Sequence, residues 1–132
     1  MNTLTRVTTL LEEQPALHLW GNGKARGHQI DFDAAREELT SPSTLRKIER
    51  AENWCSIHLV PAKPNPRDAS TYGWKHVFER HTNLYIPNGA FAVAAALAGI
   101  RMNWARYNPT VHARESRHNP ISTDRCLEGG RP

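Results

Sequence analysis

The chain has 132 residues, 39% of them hydrophobic, and its 17 Lys and Arg outweigh 13 Asp and Glu for a net charge of +4 and a pI near 9.4. That length suits a single small core, and the basic balance excludes an acidic nucleic-acid mimic while leaving nucleic acid open as a partner. The longest charge-free apolar run, Gly89 to Ile100, is 12 residues, short of the roughly 20 a membrane helix needs, and the N-terminus lacks a signal-peptide core; a soluble cytoplasmic protein without a membrane partner is expected.

The first segment, TLTRVTTLLEEQP, places Leu4, Val7, Leu10 and Leu11 at helical spacing and predicts a short helix ending before Pro15. Residues 16–32 read equally as a β-hairpin around a Gly-rich turn carrying Lys24 and Arg26, or as a plain exposed loop. DFDAAREELTSP predicts a helix capped by Asp33 and stopped by Pro42. The next helix begins with Ser41 as cap and Pro42 at its first position, and carries a stripe of Leu45, Ile48, Glu52, Cys55 and Leu59. A strand over residues 54–60 competes with the end of that helix, because Cys55, Ile57 and Leu59 alternate. The prolines of PAKPNPRDAS predict an extended connector over about 61–70.

The strongest signals lie between Tyr72 and Ile100. Ser70 or Thr71 caps a helix to about His81, with Trp74, Val77, Phe78 and His81 on one face and Lys75 and Glu79 paired on the solvated side. A second helix, capped by Asn88 and closed by Gly99, holds six alanines with Phe91, Val93 and Leu97 and has no polar face. Such a helix must be covered on most sides. The expected fold is therefore mainly α, a small single-domain helical fold over residues 1–118 built around this buried Ala-rich helix. After Asn103 the chain reads as irregular, and residues 119–132 as a flexible basic tail.

The same stretch is a poor match to a helix-turn-helix. The turn TNLYIP is longer than that motif uses, and the second helix has no side chain suited to base edges beyond its cap. The pattern Tyr72-Gly73-x-Lys75-His76, Tyr85, Asn88-Gly89-x-Phe91 and an alanine-rich run ending in Gly99 resembles small helical proteins of phages, plasmids and conjugative elements. Trp74 and Pro87 stand where that pattern carries Leu and Ser. The resemblance covers roughly 30 residues and implies a mobile-element origin, with an anti-CRISPR-type anti-defence role among the roles such proteins take.

Catalytic and metal chemistry find little footing. Cys55 and His58 have ligand spacing, but no second pair completes a four-ligand zinc site. Cys55 sits among apolar residues and reads as buried and inert, and with Cys126 as the only other cysteine no disulfide framework is expected. The histidines read as surface or half-buried, and GNGKARG matches no phosphate-loop pattern. No catalytic residue, metal or cofactor is assigned. Positive charge gathers late: eleven basic and ten acidic groups precede residue 101, six arginines and three acids follow. Within RMNWARYNPTVHARESRHNP, Arg101, Trp104, Arg106, Tyr107, Arg114 and Arg117 form the predicted partner-binding set, with Lys24 and Arg26 as a secondary basic patch. The aromatics serve equally well as core residues. The expected function is a non-catalytic protein that binds and blocks a host protein or nucleoprotein; the alternative is a small basic DNA-binding or regulatory protein.

Overall fold

The computed structural model describes residues 1–24 and 29–121. These described residues form five helices, α1 (Thr3–Glu13), α2 (Phe32–Glu38), α3 (Pro42–His58), α4 (Thr71–Thr82) and α5 (Asn88–Leu97). Three short antiparallel pairs accompany them: β1 (Leu17–His18) with β2 (Gly21–Asn22), β3 (Leu59–Pro61) with β6 (Ala113–Glu115), and β4 (Met102–Asn103) with β5 (Thr110–Val111). The fold is mainly α.

Helix α5 is the hidden axis. Residues Asn88 to Ala95 are all buried. Its small side chains let α3 and α4 approach closely, and α1 and the β1–β2 hairpin complete the cover. Phe91 meets Trp54 of α3 at 6.4 Å and Phe78 of α4 at 6.1 Å between ring centroids, while Trp54 and Phe78 stand edge to face at 5.4 Å. Full burial of Phe91 contributes about 2 kcal/mol by area, and edge-to-face geometry adds to it. Gly99 adopts φ +88°, the left-handed turn that ends the helix.

The start of α5 differs from its sequence reading. Pro87 occupies the cap position and no side chain caps the helix. Asn88 is instead a buried polar junction. Its Oδ1 accepts from the Thr71 hydroxyl at 2.8 Å, and its Nδ2 donates to Asn108 Oδ1 at 2.8 Å and to the Trp20 carbonyl at 3.2 Å. The neighbouring Gly89 N–H donates to the Leu19 carbonyl at 2.8 Å. A backbone acceptor from the hairpin thus satisfies an N-terminal amide that a side-chain cap ordinarily serves. The approach is so close that a Cβ on Gly89 would lie 1.8 Å from the His18 carbonyl oxygen.

Other positions also differ from the sequence expectation. The hairpin forms, but it turns at Leu19 and Trp20, upstream of the Gly-rich run, because the β1 and β2 backbones must meet α5 there. Its residue His18 is buried, with Nε2 bonded to the Gly23 carbonyl at 2.8 Å. The cap of α2 is Asp31, whose carboxylate accepts from Ala34 N–H at 3.0 Å, and Asp33 falls in the first turn. The end of α3 is helical through His58, and the alternating run yields only β3. The stretch after Asn103, read as irregular, supplies β5 and β6, because the connector offers them an edge: Val111 N–H donates to the Ala69 carbonyl at 2.9 Å and Ala62 N–H to the His112 carbonyl at 2.9 Å. Lys75, assigned to a solvated face, is buried beside Glu79 at 2.8 Å. At the other end Ile121 is buried and its N–H donates to Glu115 Oε2 at 2.7 Å; the remainder of the expected tail lies outside the described residues.

Gly89→Ala must push the hairpin away from α5. It is expected to destabilise the fold by about 3 kcal/mol, the upper end of the usual overpacking cost, read as a lower midpoint in urea denaturation.

Candidate binding site

The residues expected to bind a partner divide into two kinds. Trp104 is half-buried against the core, and its carbonyl accepts from Asn22 Nδ2 at 2.6 Å. Tyr107 lies with its ring over Gly21 and 5.8 Å from the His18 ring, and its carbonyl accepts from Asn22 N–H at 2.9 Å. Burial raises the Tyr107 hydroxyl pKa above its ordinary value. Both aromatics help seat the hairpin. Arg101, Arg106, Arg114 and Arg117 are exposed. Of these only Arg106 lines an open groove of about 990 Å³ bordered also by Asp68, Asn103, Tyr107, Asn108 and His112. Lys24 is exposed beside a smaller cavity near His18, and Arg26 lies outside the described residues.

Within the large groove His112 Nδ1–H donates to Asp68 Oδ2 at 2.8 Å, and Asn65 N–H donates to the same oxygen at 2.9 Å. The bond to His112 is the main reason the Asp68 carboxyl sits below its ordinary pKa. This pair fastens the Pro-rich connector to the β5–β6 segment. Cys55 is fully buried, and burial first, then the Glu52 charge, pushes its thiol up to about 12. His58 Nδ1–H donates to the Asn119 carbonyl at 2.7 Å. The thiol therefore stays protonated, which removes the nucleophile a Cys–His reading needs. Among the described residues no three His, Cys, Asp or Glu side chains gather in a form that holds a metal ion.

A different surface concentrates charge. On α3, Ser43, Arg46, Lys47 and Arg50 follow i, i+3, i+4, i+7 spacing and share one face. The face turned inward carries Thr44, Ile48, Ala51, Trp54 and Cys55. The α3 acids are engaged elsewhere. Glu49 accepts from the Thr3 hydroxyl at 2.7 Å, and Glu52 takes Arg6 in a two-pronged pair at 2.5 and 3.2 Å. Arg6 also donates to the Leu97 carbonyl at 3.0 Å, closing the C-terminal end of α5. Among the described residues Arg46, Lys47 and Arg50 have no acidic partner.

The turn between α4 and α5 completes this face. Leu84 and Tyr85 border a groove of about 450 Å³ with Arg46, Lys47 and Arg50, and Phe78 forms its base. Tyr85 is 56% exposed and Tyr72 50%. Lys47 Nζ stands 5.3 Å from the Tyr85 ring centroid, and Lys75 Nζ stands 5.0 Å from Tyr85 and 5.9 Å from Tyr72, within cation–π range. Burial opposes ionisation of Glu79, but the hydrogen bond from Lys75 and that from Ile86 N–H outweigh it, and its pKa falls below the ordinary value. With Lys75 and His76 at 2.8 and 3.2 Å, Glu79 is committed to α4 itself.

No family model, curated protein or solved structure matches the chain. Among the described residues no helix is long and apolar enough to cross a membrane.

Two measurements check these assignments. Asp68→Asn is expected to cost about 1 kcal/mol near neutral pH, the scale of one hydrogen bond to a charged group at a partly exposed site. Because the folded carboxyl has the lower pKa, its contribution is present above the unfolded-state value and is lost as pH falls through the folded one. The gap between parent and variant in urea titrations should close on acidification over that range. In a Cys126→Ser background, alkylation of Cys55 at mildly alkaline pH should proceed only as fast as the fold opens; prompt labelling would contradict the buried, protonated thiol.

Proposed function

We propose that this chain is a non-catalytic interaction protein of phage or mobile-element type, which binds and blocks a host protein or nucleoprotein in the manner of an anti-CRISPR inhibitor. One observation carries the reading: among the described residues, three α3 cations stand without acidic partners beside exposed Tyr85 and Leu84. Unpaired charge next to exposed aromatic surface is the composition of a contact face, since aromatics and Arg supply most anchor energy at interfaces and unpaired charge steers an oppositely charged partner. The proposed contact therefore moves from residues 101–117 to α3 and the α4–α5 turn, with Arg106 in the neighbouring large groove as a secondary contact. The mobile-element origin rests on the resemblance of the 72–99 segment.

The same cations favour a second reading, a small basic DNA-binding or regulatory protein. The absence of Arg, Lys, Asn and Gln from α5 beyond buried Asn88 argues against base reading by that helix.

The test is capture of partners from host lysate, with and without nuclease, by the parent chain and by the triple variant Arg46→Glu, Lys47→Glu, Arg50→Glu. A partner recovered by the parent and depleted at least tenfold by the triple variant is expected. Recovery of the same partner by both proteins would move the contact face elsewhere, and recovery of none would reject the blocking role.

A further inference from the structure

We infer that the occupant of the α3 face is a single strand of nucleic acid, its phosphates on Arg46, Lys47 and Arg50 and its bases against Tyr85 and Tyr72. The inference rests on the reading that this face is the contact surface and names the chemistry it takes.

Three observations favour this occupant. The cations occupy one turn of a rigid helix, with Arg46 and Arg50 stacked at i, i+4, roughly 6 Å apart at Cβ, a separation that suits successive phosphates of one strand. The row is available, because the acids of α3 face α1 and Glu79 is held by Lys75 and His76. Beside these cations the Tyr85 ring lines the groove, and the Tyr72 ring lies beyond it across Lys75. Two half-exposed phenols flank Lys75, and Leu84, at 37% exposure, is the one aliphatic side chain of the groove.

An acidic amphipathic helix needs a continuous apolar stripe to bury, and this face has none. A duplex offers its backbone as a convex rod with its bases stacked inside, and so leaves the groove between α3 and Tyr85 unfilled. A single strand uses both features, charge for the backbone and rings for unstacked bases. Lys75 has a further part. Buried and paired with Glu79, it stays fixed between the two rings, so the aromatic platform is set before the strand arrives.

Fluorescence anisotropy with labelled oligothymidine of about 12 nucleotides, within the site size of small binding folds, tests this. The full chain should bind the single strand, and bind a duplex of the same length at least several-fold more weakly. Three neutralised phosphates predict a log–log salt slope of about −2, a loss of roughly fifteen- to twentyfold between about 50 and 200 mM salt. The triple charge reversal should abolish binding. Tyr85→Leu should weaken binding about tenfold with the salt slope unchanged, whereas Tyr85→Phe should retain it. These side chains lie on the surface, and matching circular dichroism and urea midpoints establish that each variant folds.

Absence of binding at the lowest salt, equal or tighter binding of duplex, or binding untouched by the charge reversal would each overturn the inference. If oligonucleotides fail while the lysate capture yields a nuclease-resistant partner lost in the triple variant, the occupant is a protein, and only the inference falls. If capture fails while the single strand binds as expected, the inference stands and the blocking role falls.

Discussion

The contact between Gly89 and the β1–β2 hairpin organises the molecule. The N-terminus of a helix leaves amides without intrahelical partners, and α5 begins in the interior, where water is not there to meet them. The hairpin meets the need with the Leu19 carbonyl, while Asn88 binds Thr71, Asn108 and Trp20. Three parts of the sequence, the hairpin turn, Thr71 and Asn108, thus converge on two adjacent residues. The arrangement admits no side chain at position 89, since the His18 carbonyl fills that space. The apolar length of α5 then follows. With its polar opening satisfied, the rest of the helix presents only small and aromatic groups for α3 and α4 to pack against.

Charge is sorted by the same packing. Because α3 lies between α1 and the α4–α5 turn, each of its faces meets a different neighbour. The Arg6–Glu52 pair and the Thr3–Glu49 bond place the acids toward α1. Arg36 plays a matching part on the other side of α1, donating to the carbonyls of Leu11, Leu17 and Gln14 and so closing its C-terminal end. What remains on the outer face of α3 is positive, without acidic partners among the described residues, and exposed Tyr85 borders it.

Much of the helical fold is legible in the chain. Ser41 before Pro42, Ser70 before the Tyr72–His81 face, and Gly99 after the alanines mark boundaries through local chemistry, which a linear reading captures. The buried state of α5 is legible for the same reason, as a helix without a polar face has no stable exposed arrangement. What escaped depends on partners distant in sequence. Asn88 looks like a cap until Thr71 and Trp20 surround it, and Lys75 looks solvated until Tyr72, Tyr85 and Glu79 enclose it. The cationic row of α3 was written in the i, i+3, i+4, i+7 spacing of Ser43, Arg46, Lys47 and Arg50. Apolar periodicity passes over it, because cations on a solvated face carry no hydrophobic signal; the aromatics among the arginines after residue 100 help hold the hairpin in place.

The strand pairs tie regions that are far apart along the chain, with Leu59 opposite Glu115 and Val60 opposite Arg114. Such closures lose chain entropy before any contact rewards them. A helical bundle of equal size assembles largely from neighbours and escapes that delay. Here the helices can form early, but the molecule is finished only when the segment following α5 returns to the end of α3. Assembly on the ribosome must therefore keep β3 unpaired until residues 113–115 have emerged, after the alanine helix and the elements that cover it have been made.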